Sequence, residues 1–79
     1  MPSKAHGIIL YHTDACHLCE LAADLLHKAQ VTYVAQDICE SEQLADIYGT
    51  RIPVIKNPAC NSELNWPFDL EALEEFLGA

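Results

Sequence analysis

Cys16 and Cys19, separated by His17-Leu18, constrain this chain more than any other feature of it. They follow an apolar run, Ile8-Ile9-Leu10-Tyr11, and open a segment from Leu18 to Ala29 in which apolar residues recur at helical spacing. That pattern reads as a strand, a tight turn and a helix whose first turn carries both sulfurs. The N–H groups of a first helical turn have no partner inside the helix, and the helix dipole presents its positive end there. Both effects favour thiolate over thiol, and the thiolate is the form that attacks disulfides. A second cysteine one turn later, on the same side, can close a disulfide with the first. Strand, Cys-x-x-Cys and helix thus point to a dithiol–disulfide device.

Within that device Cys16, at the helix start, is expected to be partly exposed and to act as nucleophile. Cys19, one turn inside, is expected to be more buried and to resolve the mixed disulfide. Competing readings are two structural thiols, or ligands of zinc or an iron–sulfur cluster. Zinc sites usually need a second such pair or closely spaced histidines. Cys39 and Cys60 are solitary, so that pattern is missing, and both read as free thiols in turns. His17, when protonated, would favour the Cys16 thiolate, whereas Asp14 and Glu20 oppose it.

The rest of the composition narrows the class. With 79 residues the chain is expected to form one domain over 1–79, near the size where a single core is barely sufficient. It is 51% hydrophobic and 20% charged, which fits a packed chain and not a disordered one. The net charge is −8, and the only Lys and Arg are Lys4, Lys28, Arg51 and Lys56. No basic stripe exists for a phosphate backbone, so neither nucleic acid nor an anionic membrane is an expected partner. The apolar run ending at Tyr11 is too short for a signal-peptide core or a membrane span. A cytoplasmic location is expected, where thiols stay reduced unless they are catalytic, redox-sensing or metal-bound.

Taken in order, Gly7 to Tyr11 reads as a central strand buried on both faces. The helix from about Cys16 has an apolar stripe of Leu18, Ala22, Leu25, Leu26 and Ala29, widened by Leu21 and Ala23, so most of it is expected to be covered. Val31 to Ala35 is a second strand, and Asp37 to Glu42 an acidic turn with Ser41 as N-cap of a short helix. That helix turns Leu44, Ile47 and Tyr48 inward and ends with Gly49 at C′. Val54 to Lys56 is a third strand, and the turn formers from Asn57 to Ser62 lead to a brief return over Glu63 to Asn65. Pro67 bars its continuation, and Asp69 caps a last helix bearing Leu70, Leu73, Phe76 and Leu77. Trp66 and Phe68 read as core in preference to an apolar docking rim, and Tyr11 as core in preference to a support under the active-site loop. The order is β-α-β-α-β-β-α, with a parallel first pair, a final hairpin and helices on both faces of a four-stranded mixed sheet.

Four segments together carry a resemblance: Leu10-Tyr11, Cys16-His17-Leu18-Cys19-Glu20, Tyr48-Gly49-Thr50-Arg51-Ile52-Pro53-Val54, and Trp66-Pro67-Phe68-Asp69. Over nearly its whole length the chain resembles the glutaredoxin branch of the thioredoxin-fold superfamily, and most closely the small bacterial glutaredoxin-like proteins. The resemblance implies a thioredoxin-like three-layer α/β/α sandwich and a thiol–disulfide oxidoreductase. It further implies that Pro53 follows a cis peptide bond beside the cysteines, and that Ile52 and Pro53 bind substrate, the Ile52 N–H and C=O pairing with an incoming cysteine peptide or glutathione. Protein or low-molecular-weight disulfides would be the partners, with no bound cofactor and glutathione as one candidate reductant.

The chain also departs from that pattern. His17-Leu18 stands where glutaredoxins usually have Pro-Tyr, and His12, Thr13 and Asp14 stand where a basic residue holds a glutathione carboxylate. Trp66-Pro67 replaces a Gly-Gly pair. Glutathione use therefore does not follow from the resemblance, and exchange with another thiol partner stays open. An alternative function on the same fold is a non-catalytic interaction module using its Pro53 face.

Overall fold

The structure is a computed structural model, and it describes residues 7–78. A four-stranded sheet runs in the order β2-β1-β3-β4, built from β1 (Ile8–His12), β2 (Tyr33–Asp37), β3 (Val54–Asn57) and β4 (Ser62–Asn65). β1 pairs parallel with β2 and antiparallel with β3, and β3–β4 is the hairpin. Helix α1 (His17–Lys28) connects β1 to β2, α2 (Glu42–Tyr48) precedes β3, and α3 (Leu70–Gly78) closes the chain. The element order is the one expected, with a short 3₁₀ turn, Ile38–Glu40, added after β2.

β1 shows why its sequence is apolar without a break. Side chains alternate across a strand, and here both sides are covered. Ile8 and Leu10 pack with Ala22 and Leu26 of α1, Leu73 and Leu77 of α3, Ile55 and Phe68. Tyr11 points the other way, into a second cluster with Ile38, Tyr48 and Val54, against which Ile9, Leu44 and Ile52 pack. Two cores back to back make the three-layer α/β/α arrangement. Trp66 and Phe68 belong to the first, with ring centroids 5.0 Å apart in an edge-on contact, as a core assignment requires.

Several local expectations need correction. β2 starts at Tyr33, not Val31. Val31 is used to close α1: its N–H donates to the Leu26 carbonyl (3.1 Å), that of Gln30 donates to His27 (3.0 Å), and Gln30 adopts φ 58°. These are the paired bonds of a Schellman cap, made without the usual glycine. α1 is also less covered than expected. Its buried line is Cys19, Ala22 and Leu26, which leaves Leu18 (44% exposed) and Leu21 (38%) facing outward. In α2 Leu44 and Tyr48 face inward as expected, whereas Ile47 is exposed. Gly49 keeps right-handed helical geometry as the C-cap, not the left-handed C′ position. Besides the cis Ile52–Pro53 bond, Trp66–Pro67 is also cis, which the sequence reading did not foresee.

Capping follows the sequence more closely. The Ser41 hydroxyl accepts the Leu44 N–H (3.3 Å) and the Asp69 carboxylate accepts that of Ala72 (2.8 Å). Both caps satisfy donors that the helices leave unpaired.

Tyr48 ties the second core to the hairpin. Its ring stacks on Tyr11 with centroids 4.2 Å apart, and its hydroxyl donates to Glu63 Oε2 at 2.6 Å. Arg51 lies over the same ring and reaches Glu63 Oε1 (2.6 Å) and Asn65 Oδ1 (3.0 Å). The Tyr48 hydroxyl, then the Arg51 guanidinium, hold the Glu63 carboxyl below its usual range, while burial pushes the Tyr48 phenol up. A carboxylate stabilised in the folded state adds stability above its unfolded pKa and loses it on acidification. Glu63→Gln should therefore cost about 1 kcal/mol at neutral pH, after allowance for the part-exposed pair. In urea denaturation series, that difference from wild type should shrink as the pH falls below about 4. A difference constant from pH 7 to pH 3 would contradict the assignment.

Candidate redox site

The chain leaves β1 at His12, turns through Thr13-Asp14-Ala15 and enters α1 after Cys16. Ala15 takes φ 58°, a left-handed conformation that costs a non-glycine residue about 1 kcal/mol. It reverses the chain so that extended Cys16 (φ −108°, ψ 100°) stands as the N-cap of α1. The capping atom is sulfur: Cys16 Sγ accepts the Cys19 N–H at 3.1 Å. Cys16 and Cys19 are joined by a disulfide, with Cα atoms 5.2 Å apart. Cys16 is half-buried, and Cys19 is only 5% exposed. One sulfur at the helix end thus meets solvent and the other lies behind it.

Both cysteines line a cleft of about 280 Å³ between α1 and the β1–β2 side of the sheet. Its wall is Leu10, His12, Thr13, Asp14, Ala15, Glu20, Ala23, Tyr33 and Ala35. Asp14 and Glu20, expected near Cys16 as opposing charges, do line the cleft. Tyr33 and Ala35 were not anticipated at all. The rule that clefts in α/β sheets open at the carboxyl ends of parallel strands gives the Cys16 end of this cleft, after β1, but not Tyr33, which opens β2 opposite Ile8.

Ile52 and Pro53 approach from the opposite side and do not line this cleft. Continuing the register one residue past the Tyr11–Val54 pair sets Pro53 opposite His12, at the same end of the sheet as Cys16. Pro53 is buried and its carbonyl accepts the Trp66 N–H (3.3 Å). The expectation that Ile52 offers both backbone groups needs correction. Its N–H already donates to the Tyr48 carbonyl at 3.1 Å.

Cys39 and Cys60 are free and exposed, in line with the sequence reading. Cys39 is nonetheless beside the site, its sulfur 3.2 Å from Thr13 Oγ1. Below it Asp37 caps the 3₁₀ turn, accepting the Cys39 N–H at 2.9 Å. That bond, together with the Thr13 hydroxyl and His12, holds the Asp37 carboxyl below its usual range. Among the described residues no three His, Cys, Asp or Glu side chains converge as metal ligands, and no helix is long and apolar enough to cross a membrane.

Sheet order, helix placement and a Cys-x-x-Cys at the first helix start define the thioredoxin-like class of α/β folds. Within it, the chain belongs to the glutaredoxin-like domain family (DUF836), whose model matches residues 7–78. Protein XcR50 of X. campestris, known from both an X-ray and a solution structure, is 36% identical. The X-ray structure superposes with a TM-score of 0.84 over 90% of this chain and 95% of that one. Protein Ne2328 of Nitrosomonas europaea has the same fold at 24% identity, with a TM-score of 0.78 over 99% of this chain and all of its own. No curated protein matches the chain. Family membership and the bonded Cys16–Cys19 pair together indicate a redox function of the thiols.

Exposure makes the four thiols distinguishable. Iodoacetamide should label Cys39 and Cys60 in the oxidised protein, and Cys16 ahead of Cys19 once the disulfide is reduced. Peptide mass spectrometry reads the order. Cys19 labelling at the Cys16 rate would contradict the placement of the two sulfurs.

Proposed function

We propose that this protein is a thiol–disulfide oxidoreductase of the cytoplasm, acting on protein or low-molecular-weight disulfides. The observation that carries the reading is a half-buried sulfur serving as helix N-cap, bonded to a second sulfur buried behind it. In the reduced protein, the Cys16 thiolate attacks one sulfur of a substrate disulfide and the other leaves as a thiolate, protonated by solvent. Cys19 then attacks the Cys16 sulfur of the mixed disulfide, releasing the second substrate thiol and closing the Cys16–Cys19 bond. One substrate disulfide is thereby reduced to two thiols, and the protein dithiol is oxidised to a disulfide. A reducing dithiol, or two equivalents of a monothiol, runs both exchanges backwards, leaves as a disulfide and restores the Cys16 and Cys19 thiols.

The Cys19 N–H favours the anionic form of Cys16 and fixes the direction of its lone pairs. The Ile52 carbonyl, at the same end of the sheet, is the group available to pair with a cysteine-bearing strand. His12, Thr13 and Asp14 stand where a basic residue would hold a glutathione carboxylate, and Glu20 adds a second carboxylate to the cleft wall, which favours a donor other than glutathione.

Reduction of insulin or of hydroxyethyl disulfide tests the reading. Cys16→Ser should bring turnover to background. Cys19→Ser should accumulate a mixed disulfide, seen as a mass increment on Cys16. Wild-type turnover by Cys16→Ser would refute the nucleophile, and absence of any adduct on Cys19→Ser would refute the resolving role.

A further inference from the structure

The wall of the redox cleft also carries information about charge. Asp14 and Glu20 line it, both exposed, one on each side of Cys16 in the chain. Asp37, ionised more readily than an ordinary carboxyl, caps the turn beside Thr13. His12 is the one lining residue able to carry positive charge. Of the cations among the described residues, none lines the cleft: Arg51 is tied to Glu63 and Asn65 on the far face, Lys28 lies in the last turn of α1, and Lys56 is on β3. The net charge of −8 adds a field of the same sign at longer range.

From this arrangement we infer that the site selects disulfides bearing positively charged groups beside the sulfur–sulfur bond and discriminates against anionic ones, with Asp14 and Glu20 as the specificity-determining residues. The inference rests on the oxidoreductase reading and adds a substrate class to it. Attack at Cys16 must bring the groups flanking the substrate sulfurs into the cleft mouth. An ammonium or guanidinium there meets carboxylates of opposite sign on the cleft wall, whereas a carboxylate meets like charge. Such focusing raises encounter rates for the complementary sign by about tenfold or more at low salt. Salt removes the effect, because the screening length falls to about 3 Å at molar ionic strength. The electron balance is that of the exchange above: the dithiol becomes the Cys16–Cys19 disulfide, and the cationic disulfide becomes two thiols.

The test uses pre-reduced protein and three small disulfides of similar size: cystamine (cationic), hydroxyethyl disulfide (neutral) and dithiodipropionate (anionic). Each rate at neutral pH is divided by the rate of the same disulfide with dithiothreitol, which removes intrinsic reactivity. At low ionic strength the normalised rates should fall from cystamine to hydroxyethyl disulfide to dithiodipropionate, spanning about tenfold or more, and should converge in molar salt. In an Asp14→Asn, Glu20→Gln double variant the span should contract several-fold, with the neutral disulfide as each protein's own reference. That reference absorbs any change in the reactivity of Cys16 itself. A parallel pair of cysteine-peptide disulfides, flanked by lysines or by glutamates, distinguishes a polypeptide source from a small-molecule one.

Equal normalised rates, or a preference for the anion, would overturn the inference while turnover of the neutral disulfide still upheld the oxidoreductase reading. A span unchanged in the double variant would take the selectivity away from these two carboxylates and overturn their assignment. No reaction with any disulfide would overturn the reading and the inference together. Selectivity for lysine-flanked peptides would support a basic protein substrate. Selectivity confined to cystamine would support a small cationic one.

Discussion

The structure depends on one hydrogen bond made by an unusual acceptor. Cys16 caps α1 with its sulfur, taking the Cys19 N–H at 3.1 Å. Helix caps are usually oxygen-bearing side chains, and a cysteine is a weak acceptor while it carries its proton. The same geometry therefore asks for the thiolate whenever the disulfide is open. Asp14 and Glu20 oppose that anion, and magnitudes decide between them. A hydrogen bond to a charged group is worth about 1.5–3 kcal/mol, whereas an exposed charge pair contributes about 1 kcal/mol or less and is screened by salt. The contact inside the helix turn wins, and the carboxylates are left to act on what approaches from outside.

On the other face of the sheet the organising residue is Tyr48. Its ring fills the second core against Tyr11, its hydroxyl is satisfied by Glu63, and its carbonyl accepts N–H groups from both Arg51 and Ile52. One residue at the end of α2 thereby connects the hydrophobic packing of β1 to the segment that leads into Pro53. This accounts for the burial of a tyrosine in preference to Ile47: a tyrosine offers both a stacking face and a polar end that the hairpin can satisfy. The end of the sheet that carries the cysteine pair is then held from two sides, by α1 through Cys16 and by α2 through Tyr48.

Much of this was legible in the amino acids. Ile8-Ile9-Leu10-Tyr11 declared a strand covered on both faces. Cys16 and Cys19, set between an apolar strand and an apolar-faced helix, declared a close pair of sulfurs at the helix start, and Ser41 and Asp69 declared their helices by capping chemistry. What stayed hidden depended on partners distant in sequence. Val31 looked like strand, but the close of α1 claimed its N–H. Leu18 fell on the apolar stripe, yet the sheet meets α1 along Cys19, Ala22 and Leu26. The occupied N–H of Ile52 depends on where α2 ends, and the cleft on how Tyr33 and Ala35 register beside β1. Periodicity reports which face is apolar; only packing reports which part of it is covered.

The central claim is that the start of α1 holds Cys16 as an anion, and the most direct measurement is a pH titration of the thiolate absorbance of the reduced protein, repeated on Cys16→Ser. The account predicts a group titrating below the value of about 8.5 of a free cysteine, absent from Cys16→Ser. A Cys16 that titrates at or above that value would contradict it.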